Sequence, residues 1–128
     1  LAAITILMQN PSIHLIAVGG NVDGVERSSY GTECEKAMER YYPDVAFLSI
    51  NAINYRDGFT EFRFSEIGII QILAEKAKEV IAVMDSSKIG KRSRAKALSL
   101  QQVDRMISDD AVSDAVKEQY RKYGLLIE

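Results

Sequence analysis

The chain has 128 residues, 47% of them hydrophobic and 27% charged, with a formal net charge of −2. That is the size of one domain with its own core, and a near-neutral balance gives no global reason to expect a nucleic acid or a membrane surface as partner. No apolar run approaches the roughly 20 residues of a bilayer-spanning helix, and no signal peptide with basic, apolar and small-residue regions opens the chain.

The chain starts at Leu1, and Leu1, Ile4, Leu7 and Met8 already sit at helical spacing. It looks like a piece of something longer. Residues 13–18 form the first strand-like apolar run, ending at Val18-Gly19-Gly20-Asn21. Paired glycines let a backbone turn sharply or approach a ligand closely. The run lacks the full dinucleotide fingerprint, however, and a lone Gly-Gly is usually a turn. The lone His14 lies inside it without partners for a metal, and nothing in the sequence asks for a cofactor.

Residues 32–42 read as a helix, with Ala37, Met38 and Tyr41 among charges and Pro43 as its stop. Cys34 falls within it and reads as a small buried packing residue. A single cysteine makes no internal disulfide, which suits a reducing, cytoplasmic setting. A second strand is expected over 45–50, followed by Asn51 and then Asp57-Gly58-Phe59-Thr60. Asp-Gly between apolar residues favours a tight turn or hairpin, so Gly58 has a purely structural reading too. The Asn51 amide can donate to and accept from sugar hydroxyls.

Residues 65–79 form the next helix, with Ile69, Ile72, Leu73 and Ala77 at three- and four-residue spacing. Ile67, Ile69, Ile70 and Ile72 wrap more than one of its faces, which suits burial against both a sheet and a partner subunit. A third strand over 80–84 runs directly into Asp85-Ser86-Ser87-Lys88. An unbroken branched apolar run is what a strand buried on both faces looks like. In open α/β sheets, ligands bind just beyond the carboxyl ends of such strands. An acid, two hydroxyls and a Lys there suit a polar, anionic small molecule. The plainer alternative is a strand end where Asp85 and Ser86 start a turn or cap a helix.

Segment 88–96 carries Lys88, Lys91, Arg92, Arg94 and Lys96 and no acid. It reads as a solvated loop whose charge is offset by Asp104, Asp109, Asp110 and Asp114, since no aromatic interleaving or helix-turn-helix presents those cations to a groove. Strands over 103–108 and 124–127 flank a helix over 112–123, with Gly124 as its stop. Strands alternating with helices imply one α/β domain over residues 1–128, with a mainly parallel sheet and helices on both faces.

These junctions occur in an order that resembles the C-terminal, effector-sensing domain of the DeoR family of bacterial transcriptional regulators. The matching pieces are Asn10-Pro11, Val18-Gly19-Gly20, Gly31, Ala46-Phe47-Leu48-Ser49-Ile50-Asn51-Ala52-Ile53 with Gly58-Phe59-Thr60, and Asp85-Ser86-Ser87-Lys88-Ile89-Gly90. Val103-Asp104-Arg105-Met106-Ile107-Ser108-Asp109-Asp110 and Gly124-Leu125-Leu126-Ile127 complete the set.

The resemblance implies a fold shared with ribose-5-phosphate isomerase and glucosamine-6-phosphate deaminase, here N-terminally truncated. It implies a self-associating domain that binds a phosphorylated sugar or related effector and contacts DNA only through an N-terminal helix-turn-helix absent from this chain. Lys88 would be the charge partner of the ligand and Asn51 its hydroxyl reader, beside Asp85 and Ser87. Backbone amides around Gly19, Gly20 and Gly58 would complete the pocket. The family's Asp-Ser-Gly-Thr-Thr-like loop lies upstream of where this chain starts. Asn51 stands where the family commonly has an acid, and Gly68 and Ile70 stand where it often has Glu and Lys. The alternative is a sugar-phosphate isomerase or deaminase on the same fold. Its proton transfer needs a positioned base; Asn51 is not one, and Asp85 is the only candidate.

Overall fold

The structure, a computed structural model, describes residues 1–128. In chain order the elements are helix α1 (Ala2–Leu7), strands β1 (Asn21–Asp23) and β2 (Ser28–Tyr30), helix α2 (Thr32–Met38), and strands β3 (Val45–Leu48), β4 (Ala52–Asn54) and β5 (Gly58–Glu61). Then come helix α3 (Phe64–Lys76), strands β6 (Glu79–Val83), β7 (Ala95–Leu98) and β8 (Arg105–Ile107), helix α4 (Asp114–Arg121) and strand β9 (Leu126–Ile127). Single 3₁₀ turns cover Ser86–Lys88 and Leu100–Gln102.

Four strands make the parallel sheet, in the order β3-β6-β8-β9. Its connections are helical or long, as parallel neighbours require. An antiparallel sheet, β4-β5-β7, lies beside it, and β1 pairs with β2. The expected α/β class and mainly parallel sheet are present. The hairpin raised by Asp57-Gly58 is real, but its extension through β7 was not legible in the sequence.

The core lies on one face of the parallel sheet. Leu48, Val80, Ala82, Met106 and Ile127 alternate inward from its strands. They meet Ile70 and Leu73 of α3, Tyr120 and Val116 of α4, and Ile53, Phe59, Ala97 and Leu98 of the antiparallel sheet. On the opposite face stand Val45, Phe47, Val83 and Leu126, all exposed; Phe47 is 67% exposed. No residue of α1 is buried, and α2 packs on α3 and β2. Ile81, between Phe47 and Arg105 on that opposite face, is nonetheless buried. The four isoleucines of α3 are also used within the subunit. Ile70 is in the core, the other three are half-buried, and α3 packs on α2, β2, β3 and β7.

Residues 13–18 form no strand, and Ile13 and Ile16 are exposed, which corrects the first expected strand. An apolar run becomes a buried strand only when a neighbour takes its backbone groups and its faces are covered. Here an apolar cleft of 430 Å³, lined by Ile16, Val18, Val45 and Phe47 among others, separates the run from the open edge of β3. The helix ends follow local chemistry more closely. Ser113 caps α4 by accepting the Val116 N–H, and Gly124 at φ +87° ends it. At the end of α3, the Lys78 and Glu79 N–H groups already donate to Pro43 and Asp44, which starts β6 instead of another turn.

One buried charge organises the junction of these layers. Glu61 at the end of β5 is fully buried. Its Oε1 accepts from the N–H groups of Phe62 and Arg63 and from Arg63 Nε, at 2.8–3.1 Å. Oε2 accepts from Arg63 Nη2 at 2.7 Å and from the Asn51 N–H at 3.2 Å. Arg63 Nη1 also pairs with Glu26 and Glu66, and Glu66 accepts from the Ser28 hydroxyl. Burial pushes the Glu61 carboxyl up, but the hydrogen bonds and charge of Arg63 with the Phe62 N–H outweigh it and hold it below its ordinary range.

Replacing Glu61 by Ala strands a guanidinium fork and several N–H groups, and is expected to cost about 3–5 kcal/mol in denaturant unfolding. Because the folded pKa is depressed, the stabilisation is complete above the unfolded-chain value and lost as pH falls through the folded one. Wild-type stability should therefore drop below the ordinary carboxylate range more steeply than that of Glu61→Gln. Parallel curves for the two would show that Glu61 contributes nothing through its charge.

Candidate functional site

The carboxyl ends of β3, β6 and β8 finish nearly level, with Leu48 opposite Ala82 and Val83 opposite Ile107. Backbone rungs continue past them: the Met84 N–H donates to Ile107 O and the Ser108 N–H to Glu128 O. Each strand then delivers a polar segment, Ser49–Asn51, Asp85–Lys88 and Ser108–Asp110.

Two of the three acids among these, Asp85 and Asp109, accept backbone N–H groups. Asp85 accepts the Ser87 N–H at 3.0 Å and the Ser87 hydroxyl, so it caps the turn Ser86–Lys88. Asp109 accepts the Ser86 N–H at 2.8 Å and the Ala111 N–H at 3.0 Å. The Ser87 hydroxyl holds the Asp85 carboxyl low, and the Ser86 N–H does the same for Asp109. The plainer reading of Asp85 as a cap is therefore correct as far as its carboxylate goes. Capping also fixes the turn that carries Lys88. Lys88 is half-buried, and no carboxylate pairs with it. At the end of β8, Ser108 Oγ is buried without a hydrogen-bond partner.

A parallel bridge joins Ile53 to Ile89, so the chain after Asn51 runs beside the chain after Lys88. Asn51 follows β3, and Asp85, Ser87 and Lys88 follow its neighbour β6. The Asn51 N–H is held by Glu61, and its side-chain amide has no intramolecular bond.

The glycines have local structural explanations. Gly58, at φ +76°, closes the β4–β5 hairpin, and a Cβ there would meet Leu98 O at 2.6 Å. Gly20, at φ +129°, lets the chain pass Tyr30 O and Cys34 at the start of α2, while Gly19 faces open space. At Gly68, a Cβ would come within 2.3 Å of Glu35 Oε1, so an acid from α2 fills that space. Ile70 is core.

The buried Glu61–Arg63 pair behind Asn51 was missed in the sequence. A Glu and an Arg two residues apart past an Asp-Gly turn are ordinary surface chemistry, and only burial makes them notable. No group of three or more His, Cys, Asp or Glu residues is arranged to hold a metal, and no helix is long and apolar enough to cross a membrane.

A parallel sheet whose strand ends carry a capped turn, a free ammonium and a free amide is the architecture of a small-molecule-binding α/β domain. Residues 1–110 match the family model described as the DeoR C terminal sensor domain, and the chain belongs to that family. Among its relatives is the HTH-type transcriptional regulator GlpR of Haloferax volcanii, 30% identical over 109 residues, or 85% of this chain and 43% of that protein. The HTH-type transcriptional regulator GolR of Listeria innocua is 26% identical over 119 residues, 93% of this chain and 47% of its own length. The deoxyribose operon repressor of Escherichia coli K12 is 25% identical over 118 residues, 92% and 45% respectively. The chain spans a little under half the length of these curated relatives. They are regulators and not enzymes, and the one candidate base, Asp85, is occupied as a cap.

The two kinds of glycine separate in a simple experiment. Gly58→Ala forces a left-handed residue against the β7 backbone and should destabilise by about 1–3 kcal/mol or more in thermal unfolding. Gly19→Ala should leave stability within about 0.5 kcal/mol. Equal effects would contradict the structural role given to Gly58.

Proposed function

We propose that this domain senses a phosphorylated sugar or a related small anion at the carboxyl ends of β3, β6 and β8. The observation that carries the reading is the Lys88 ammonium: unpaired, half-buried and carried on a capped turn after β6, with Asn51 after the neighbouring strand β3. A Lys suits a phosphate as a point charge, and Asn51 offers a donor and an acceptor to sugar hydroxyls. The unpartnered Ser108 hydroxyl adds another hydrogen-bonding group at the same strand ends.

The names of the relatives support a regulatory output. In that reading the whole protein represses transcription in the cytoplasm through a DNA-binding domain outside these residues, and this domain self-associates. A ligand changes operator affinity only if it binds one subunit arrangement better than another. A coupling of about 1–3 kcal/mol corresponds to roughly 5- to 150-fold in affinity.

Calorimetric titration of a panel of pentose and hexose phosphates tests the site. Lys88→Ala should weaken the binding sugar phosphate by roughly 10- to 150-fold, as loss of a charge-assisted hydrogen bond implies. Lys96→Ala should change little. No loss at Lys88 would return the turn to a purely structural role. The same 128 residues should sediment as a dimer or larger at micromolar concentration and give no operator-specific retardation at physiological salt. Specific retardation would place DNA recognition in this domain and contradict the division of labour.

A further inference from the structure

The basic stretch after Lys88 is an exposed loop over residues 91–94, as its composition suggests, but it runs into a strand. Residues 95–98 form β7, which pairs with β5, and two of the four acids expected to offset the charge are engaged elsewhere. Asp104 accepts the Val80 N–H and Asp109 the Ser86 N–H. Neither Arg56 nor any of Lys91, Arg92, Arg94 and Lys96 has an ion-pair partner, whereas Arg63 and Arg105 each bind two or more carboxylates.

Arg56, Arg92, Arg94 and Lys96 instead line one cleft of 490 Å³, with Thr60, Ser93 and a single acid, Asp57. Three polar contacts, two of them half-buried, tie its walls together. Asn54 Nδ2 donates to Lys91 O at 3.1 Å and to Asp57 Oδ2 at 3.0 Å, which ties the hairpin turn to the basic segment. The Ser93 N–H donates to Thr60 Oγ1 at 2.7 Å, with Thr60 buried. Arg92, Arg94 and Lys96 follow at two-residue spacing, which in extended chain puts them on one side.

Four exposed cations gather around one acid on a backbone tied by these bonds, a cleft whose field favours an anion. Cations on an edge strand also discourage edge-to-edge pairing. That accounts for Lys96 alone, because Arg56, Arg92 and Arg94 lie off the strand. Planar guanidinium forks favour the bidentate geometry of phosphoryl oxygens. The volume is that of a small-molecule site, and no aromatic ring lines the cleft to stack on bases.

We propose that this cleft binds a small, multiply charged phosphoryl anion of diphosphate or bisphosphate type, as a second site separate from Lys88. Lys88 does not line it. The two sites therefore fail independently under substitution.

The test is calorimetric titration of the 128-residue chain with inorganic pyrophosphate at physiological salt, in a Lys88→Ala background that removes the strand-end charge. Binding of one pyrophosphate per chain should persist there. Adding Arg92→Ala or Arg94→Ala should weaken it by roughly 10- to 150-fold, while Lys122→Ala, an exposed cation on another element, should leave it unchanged. Absence of binding in the Lys88→Ala background overturns the second site. Equal losses at Arg92, Arg94 and Lys122 also overturn it, because they describe a diffuse field. A random-sequence duplex that displaces pyrophosphate and binds more tightly at the same salt would overturn the small-anion assignment in favour of a DNA backbone.

Discussion

The Glu61 carboxylate is fully buried, and its surroundings are arranged to keep it charged. Burying a lone carboxylate is so unfavourable that the group would otherwise take up a proton. Here a guanidinium fork and three backbone N–H groups surround it. Those donors come from the loop after β3, the end of β5 and the entry to α3. Through Arg63 the network reaches Glu66 on α3 and Glu26 before β2. The parallel sheet, the antiparallel sheet and the β1–β2 hairpin are thus tied at one electrostatic point. The backbone of Asn51, after β3, is held in place because its N–H ends on that carboxylate.

Charge is sorted by use across the molecule. Arg63 and Arg105 are structural: Arg105 joins Glu79 on β6 to Glu128 after β9, across the parallel sheet. Asp85, Asp104 and Asp109 satisfy backbone N–H groups at strand ends and turns. Arg56, Lys88, Lys91, Arg92, Arg94 and Lys96 remain without ion-pair partners. A net charge of −2 conceals this separation, which is why whole-chain charge is a poor guide to the anion chemistry of one face.

The strand-end arrangement also suits a sensor better than a catalyst. A cap whose Oδ1 holds a turn and whose carboxyl is kept low by that bond is badly placed to take up a proton. It is well placed to hold an ammonium still, and fixed geometry is what a binding site requires.

Much of this was legible in the residues alone. The runs at 45–50, 80–84, 103–108 and 124–127 all contain strands, because branched apolar stretches bounded by Gly, Asp and Ser carry strand propensity and breakers together. The helices at 32–42, 65–79 and 112–123 were readable from apolar spacing, with ends off by a few residues where a cap or the next strand decided them. The ordered motifs were enough to point to the family. Tertiary structure alone decided which apolar run found a partner, so 13–18 stayed unpaired, and which face of the sheet received α3 and α4. It alone buried Glu61 against Arg63 and gathered Arg56 with Arg92, Arg94 and Lys96 across 36 to 40 positions of chain. Propensity and periodicity act over one or two turns of chain, whereas burial, pairing and charge convergence depend on residues that only the folded topology makes neighbours.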